Sequence, residues 1–289
     1  MPNMRDFATK DYRILLAADT IDASKGALYG TDANLEPRTA GRTILIGLGG
    51  TGIRTIDHVK GVISKTLKPT WTKYISFLGI DADWKEFEQA KYLSDSEMKV
   101  ITLQGANTRW ENAGHRSLAQ KRFMLIGIHF GGIEGPGSGR KRLIGKFKIH
   151  DQQPGGIGID QSVSDMIEKL VTDVMDALPP TSNDCYEVYV IGSVCGGTCS
   201  GAFLEMPAII KNAMGARRFH VNALLYLPDT LAGLDPVYRH ELYANGYASL
   251  KELDYYQGMA MRNGNPEIFS INNNANPEIT LSGGFFHIP

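Results

Sequence analysis

Three runs of glycine with small hydroxyl residues stand out in the chain: a first, GLGGTG, at 47–52, a second, GSVCGGTCSG, at 192–201 and a third, GPGSGR, at 135–140. Glycine admits positive φ and lets a backbone approach a ligand closely. Serine and threonine add hydroxyls. When such a run opens a helix, free N–H groups and the positive end of the dipole attract an anion. The chemistry implied is a polyphosphate cradle. The first run matches GxGxxG, a weak to moderate signal by itself, because a tight strand-to-helix turn needs the same glycines. The second is not a Walker A loop, since no Gly-Lys-Ser/Thr follows. In the third, Arg140 offers a cation for a terminal phosphate.

The elements around these runs predict how they are held. Residues 43–47 read as a buried strand, and Ile53, Ile56, Val59, Val62, Ile63 and Leu67 recur on one helical face. Residues 74–80 read as a second strand ending at Asp81 and Asp83, and residues 100–103 as a third. A helix is expected near Leu143. Another runs from Val163 to Leu178, capped by Ser162 or Ser164 and ended by Pro179 and Pro180. Residues 187–191 form a strand before the second run. A helix over 200–214 follows, with a kink or late start at Pro207. Residues 221–227 form the last strand and 237–261 the last helix. Alternating strands and helices imply an α/β, three-layer fold, a mostly parallel sheet with helices on both faces. Ligands bind such sheets at the carboxyl ends of the strands.

Composition narrows the classes. The chain has 289 residues, 30 Lys+Arg against 31 Asp+Glu, and 43% hydrophobic residues. The balance argues against a nucleic-acid binder, and no apolar run is long enough for a membrane span. Three cysteines are too few for a disulfide scaffold, and the polar start is no secretion signal, so a cytoplasmic protein is expected. Cys195 and Cys199 read as an inert or oxidation-sensitive pair rather than a metal site. The seven histidines show no metal spacing. The basic residues Arg140, Lys141, Arg142, Lys146 and Lys148 read first as a solvated helix face. A hydrolase elbow at Ser193 misses its spacing by one residue.

Together these motifs resemble the GTPase domain of the tubulin and FtsZ superfamily, over about residues 43–260. CGGTCSG at 195–201 is similar to the signature GGGTGSG. GLGGTG is similar to the family's first loop, and closest to bacterial tubulin-like proteins. Gly79-Ile-Asp81-Ala-Asp83 resembles the second-strand end, and residues 135–146 resemble the third loop in glycine spacing. The resemblance implies a Rossmann-like nucleotide-binding domain with GTP or GDP and Mg2+ as ligands. Gly49, Gly50, Thr51 and Gly52 would contact the α- and β-phosphates, as would Gly196, Gly197, Thr198, Ser200 and Gly201. Asp81 and Asp83 would lie beside phosphates or a hydrated Mg2+. Ser138, Gly139 and Arg140 would meet the γ-phosphate. Asp229 and Arg239 would approach ribose or phosphates, with Asn245 on the following helix. Head-to-tail self-association around the nucleotide is implied as well.

The departures are Cys195 and Cys199 in place of two glycines, and Asp81 where FtsZ has Asn. Cysteine tolerates positive φ poorly, so a reshaped loop is expected. Residues 1–41 read as an extension and 42–289 as one nucleotide-binding domain, without the family's central helix, acidic catalytic loop and second domain. GTP hydrolysis would then need residues from a longer chain or a partner. Two other readings stay open. One is a Rossmann NAD/FAD or adenylating enzyme, for which Asp81 comes later than the usual ~20 residues and the second run is unexplained. The other is a nucleotide-free structural adaptor with the same fold.

Overall fold

The structure, a computed structural model, describes residues 42–67, 69–101, 136–151, 157–175, 185–231 and 236–263. The extension read at residues 1–41, Gly135, Leu178 with the two prolines after it, and the run after 263 lie outside the described residues.

Five parallel strands form one sheet in the order β3-β2-β1-β4-β5. They are β1 (Arg42–Leu48), β2 (Ile75–Asp81), β3 (Met98–Val100), β4 (Tyr186–Ser193) and β5 (Phe219–Tyr226). The period-2 alternation of a strand sends neighbouring residues to opposite faces. Ile44, Ile46, Leu48, Leu78, Ile80, Val188 and Val190 enter one core. Leu45, Phe77, Tyr189 and Ile191 enter the other. Both faces are covered, which explains the near-continuous apolar strands.

Helix α1 (Gly49–Thr66) covers the second face through Ile53, Ile56, Val59, Ile63 and Leu67, with Trp71 edge-on to Phe77 at 5.9 Å. Val62, expected on that face, is 45% exposed. A short α2 (Lys85–Glu88) follows β2. The first face is covered by α3 (Arg142–His150), α4 (Ile159–Leu170), α5 (Gly197–Ala202) and α6 (Met206–Met214), and α7 (Pro236–Asn263) ends the described chain. No helix among the described residues is long and apolar enough to cross a membrane.

Several boundaries differ from the expected ones. β3 lies at Met98–Val100, slightly before residues 100–103. Helix α4 begins at Ile159 with no side-chain cap. Ser162 instead accepts a hydrogen bond from Lys99 Nζ at 2.6 Å, and Ser164 is buried. Beyond Leu170 the chain widens into a π turn over Val171–Met175. The helix expected over 200–214 is two helices, with Pro207 in the first turn of the second, where its missing N–H costs nothing.

The basic run is solvated at Arg140 and Lys141, but inside the helix it is not a solvated face. Helix α3 packs backbone to backbone against α5, and Lys146 is 7% and Lys148 0% exposed. Burial on this scale requires partners. Lys146 Nζ meets Glu205 at 2.9 Å, and His150 Nε2 stands 3.3 Å from the same carboxylate. Arg142 makes two 2.7 Å bonds to Glu252.

The Lys146–Glu205–His150 cluster gives stability a pH signature. Burial raises the Glu205 carboxyl, but Lys146 and His150 outweigh it and hold it at about 2. Burial lowers His150, but the Glu205 and Asp160 carboxylates outweigh that and raise it. A depressed carboxyl stabilises the fold above its unfolded value of 4.5, and that contribution is lost as pH falls toward about 2. A raised imidazole stabilises the fold below 6.5, and that contribution is lost as pH rises through its folded value. Urea midpoints measured across pH should therefore fall on both sides of this window. Glu205→Gln should flatten both limbs; unchanged limbs would remove the cluster as their source.

Candidate functional site

Strand register aligns the ends that carry the motifs. Leu48 pairs with Ile80 on one side and with Gly192 on the other. Residues 49, 81 and 193 therefore lie along a common edge at the strand ends. A cavity of about 400 Å³ opens there, at the carboxyl ends of the parallel strands.

The first run contributes Gly49, Gly50 and Thr51 to the cavity wall. β1 passes straight into α1 at Gly49, whose φ of +69° requires glycine. No side chain caps this helix start. Gly52 is not at the cavity. A Cβ there would lie 2.2 Å from the Ile191 carbonyl oxygen, so this glycine serves the close crossing of α1 over β4.

The second and third runs meet Asp81 in a chain of hydrogen bonds. Thr198 Oγ1 donates to Asp81 Oδ1 at 2.7 Å, and the Ala82 N–H donates to the same oxygen at 2.6 Å. Ser138 Oγ lies 3.2 Å from Thr198 Oγ1. A hydroxyl has one proton, and an ionised carboxylate only accepts. Thr198 therefore donates to Asp81, and Ser138 donates to Thr198. Both protons are committed inward, so the expected hydroxyl donor at Thr198 is already spent. The Ser200 hydroxyl is likewise spent on the Gly196 carbonyl. Asp81 is 4% exposed; burial raises its pKa, and the Thr198 and Ala82 bonds oppose the rise.

Lys148 lies beneath this chain. Its ammonium donates to the Gly137 carbonyl at 2.7 Å, and the Gly137 N–H donates to the Ala82 carbonyl at 2.8 Å. Burial lowers the Lys148 pKa, while the Asp81 and Asp83 charges raise it. The third run is thus fastened from below. It turns through positive φ at Gly137, Gly139 and Arg140. Arg140 is the one described non-glycine residue in that region. Its guanidinium stacks on Tyr238 of α7 at 3.4 Å, and its Nε lies 3.6 Å from Glu241. Its carbonyl accepts from Asn245 Nδ2 at 2.6 Å, and Asn245 also donates to the Cys195 carbonyl at 3.0 Å. Asn245 therefore ties the second run to the third from α7.

Of the residues singled out in sequence, the cavity gathers Gly49, Gly50, Thr51, Asp81, Asp83, Ser138, Gly139, Arg140, Gly196, Gly197 and Thr198. Ser200 and Gly201 lie behind the wall in α5, fully buried. Asp229 sits in the turn Pro228–Leu231 and accepts from Tyr243 at 2.6 Å, and Arg239 is on α7; neither lines the cavity. Glu86 does line it, paired with Arg54, and only the fold brings it there. Cys195 and Cys199 do not strain the loop, since neither has positive φ. Both are buried free thiols. Burial raises Cys195 to about 11 and raises Cys199 further. Cys199 fills the space that a side chain at Gly192 would need.

Residues 127–277 match a family described as tubulin-like. No curated protein matches significantly. Among solved structures, the chain is similar to CetZ1 of Haloferax volcanii, a GDP-bound monomer, at 15% identity and a TM-score of 0.43, covering 73% of this chain and 47% of that one. It is similar to TubZ of Bacillus thuringiensis serovar israelensis, a GTPγS-form protofilament, at 15% identity and a TM-score of 0.45, covering 77% and 44%. It is also similar to TubZ of Clostridium botulinum phage c-st, at 11% identity and a TM-score of 0.39, covering 74% and 49%. The chain thus spans less than half the length of each.

The Thr198 hydroxyl is the joint that can be removed without changing shape. Thr198→Val takes from the buried Asp81 carboxylate its side-chain donor, leaving backbone N–H donors alone, and takes from Ser138 its acceptor. The expected loss is about 1–3 kcal/mol in urea denaturation. Thr198→Ser should keep most of the wild-type midpoint. Equal midpoints for all three proteins would show that the chain contributes nothing.

Proposed function

The chain belongs to the tubulin-like family, and we propose that its cavity binds a guanine nucleotide with Mg2+ at the phosphates. The observation that carries this reading is the convergence of all three glycine runs on one cavity at the carboxyl edge of the sheet. Guanine comes from the family; the residues of the cavity read phosphate.

The start of α1 supplies N–H groups and the positive end of an 18-residue helix at Gly49, Gly50 and Thr51. Backbone at Gly196 and Gly197 faces them across the cavity, and Ser138 and Gly139 approach from the third side. Because the Thr198 and Ser138 hydroxyl protons point inward, these residues act on a phosphate through backbone and through the shape of the wall. Asp229 and Arg239 would reach a nucleotide only through parts that extend past the cavity.

The donor set fits Mg2+. Asp81, Asp83 and Glu86 place carboxylates on the wall of a site meant for an anion. A hard divalent cation takes oxygen ligands and offsets their repulsion of phosphate. Asp83 would hold the ion with Asp81 and Glu86 close by, and the ion would neutralise phosphate charge there. In this reading the chain assembles head-to-tail, with nucleotide between copies, and hydrolysis draws on residues outside this cavity. Light scattering with GTP tests assembly.

Gly196 offers a clean test of binding. Its φ of −76° suits any residue, and a Cβ there meets nothing within 4 Å. Gly196→Ala should leave stability and nucleotide affinity near wild type. Gly196→Asp adds a helix-capping side chain, so stability should hold or rise. Its carboxylate would face the phosphates and should weaken labelled GTP binding at least ~10-fold. Mass spectrometry of ligand released from purified wild type should find GDP or GTP. Release of a nicotinamide or flavin, or no binding of labelled GTP with Mg2+, would sink the proposal.

A further inference from the structure

At the opposite end of the sheet from the cavity, three chemically different metal-binding side chains stand together. Cys185 immediately precedes β4, Glu187 is the second residue of β4, and His220 is the second residue of β5. The parallel register pairs Glu187 directly with His220. Alternation along β4 puts Cys185 and Glu187 on one face. Their donor atoms all lie within 4.8 Å of one another. Cys185 Sγ is 3.7 Å from His220 Nδ1, and His220 Nδ1 is 2.8 Å from Glu187 Oε1.

We propose that Cys185, Glu187 and His220 form a zinc site at the amino ends of β4 and β5, with water as the fourth ligand.

The distances suit the ion. Zn–S and Zn–N bonds of about 2.3 and 2.0–2.1 Å in a tetrahedron place sulfur and nitrogen roughly 3.5 Å apart. The Cys185–His220 separation is already near that value. The shorter His220–Glu187 contact is a hydrogen bond, which the ion would replace. A thiolate, an imidazole and a carboxylate together match the borderline-soft character of Zn2+ and disfavour Mg2+ or Ca2+.

A supporting residue is also in place. Asn222, two residues beyond His220 and 6% exposed, donates from Nδ2 to Glu187 Oε2 at 2.9 Å. That bond turns Oε1 toward His220. Ligating carboxylates are commonly oriented by such a partner. In the metal-free protein the Cys185 thiol is held protonated by burial and by the Glu187 charge. Binding therefore forms a Zn–S bond, breaks the S–H bond and releases its proton to solvent. His220 must carry its remaining proton on Nε2, which leaves Nδ1 to the ion. This site shares no residue with the phosphate cavity and does not depend on nucleotide binding.

The test uses the full chain, equilibrium dialysis with Zn2+, and absorption spectroscopy with Co2+ as a probe. Wild type should bind one ion per chain, and its cobalt form should show a thiolate charge-transfer band. Cys185→Ser should abolish the band. His220→Ala, at a half-exposed position that leaves the core untouched, should weaken Zn2+ binding far more than tenfold. Asn222→Ala should weaken it about tenfold with the band retained, as expected for a positioning residue. Absence of stoichiometric binding, a band that survives Cys185→Ser, or affinity unchanged in His220→Ala would each overturn the proposal.

Discussion

The hydroxyl of Thr198 is the point on which the site depends. It joins the end of β2 to the start of α5, and through Ser138 it holds the third run. Its importance follows from Asp81, a carboxylate placed where water hardly reaches. A buried carboxylate needs hydrogen bonds or a proton. Thr198 and the Ala82 N–H provide the bonds, and Lys148 beneath provides an opposite charge. The hydrogen-bond pattern makes this a fixed direction rather than a loose cluster. Each hydroxyl passes its proton toward Asp81, so the cavity side of the chain presents acceptors.

That direction distinguishes this site from a simple dinucleotide turn. A single GxGxxG turn needs one helix start and little else. Here the first run is only one wall. The second and third runs are locked to each other and to β2 before any ligand arrives, and α7 adds a further fastening through Asn245 and the Arg140–Tyr238 stack. Arg140 holds positive φ because α7 grips both its carbonyl and its guanidinium. Loops held this way lose little freedom when a ligand enters, which favours binding.

The sheet was legible because parallel strands covered on both faces are short apolar runs, and the glycine runs mark where they end. Residues 43–47 and 187–191 both lie within observed strands, and Pro207 marks a real break. What could not be read depended on contacts between distant segments. Lys146 and Lys148 look like surface charges in a basic run, and only the packing of α3 against α5 makes them interior. Glu86 carries no local pattern at all, and the tie that Asn245 makes between two runs shows only in the fold. Gly52, Ser200 and Gly201 fit the phosphate motif in sequence, yet in space they serve the close packing of α1 over β4 and of α3 against α5. A glycine needed for close packing and one needed for a phosphate have the same letter. Cys185 and His220 sit far apart in the chain and are neighbours only through the register of β4 and β5.

The charges around the cavity impose one more constraint. Asp83 and Glu86 stand at its wall with Asp81 behind them. Several cations of the described residues are engaged here: Lys148 with Gly137, Arg54 with Glu86, and Arg140 with Tyr238 and Glu241. A polyphosphate entering alone would meet the Asp81, Asp83 and Glu86 carboxylates on the wall. Backbone N–H groups attract phosphate but carry only partial charge. On the proposed reading, a divalent cation entering with the phosphates would resolve the conflict, because it attracts both sets of oxygens at once. The same acidic wall that would repel a bare anion would, on that reading, favour the metal-bound form of the ligand.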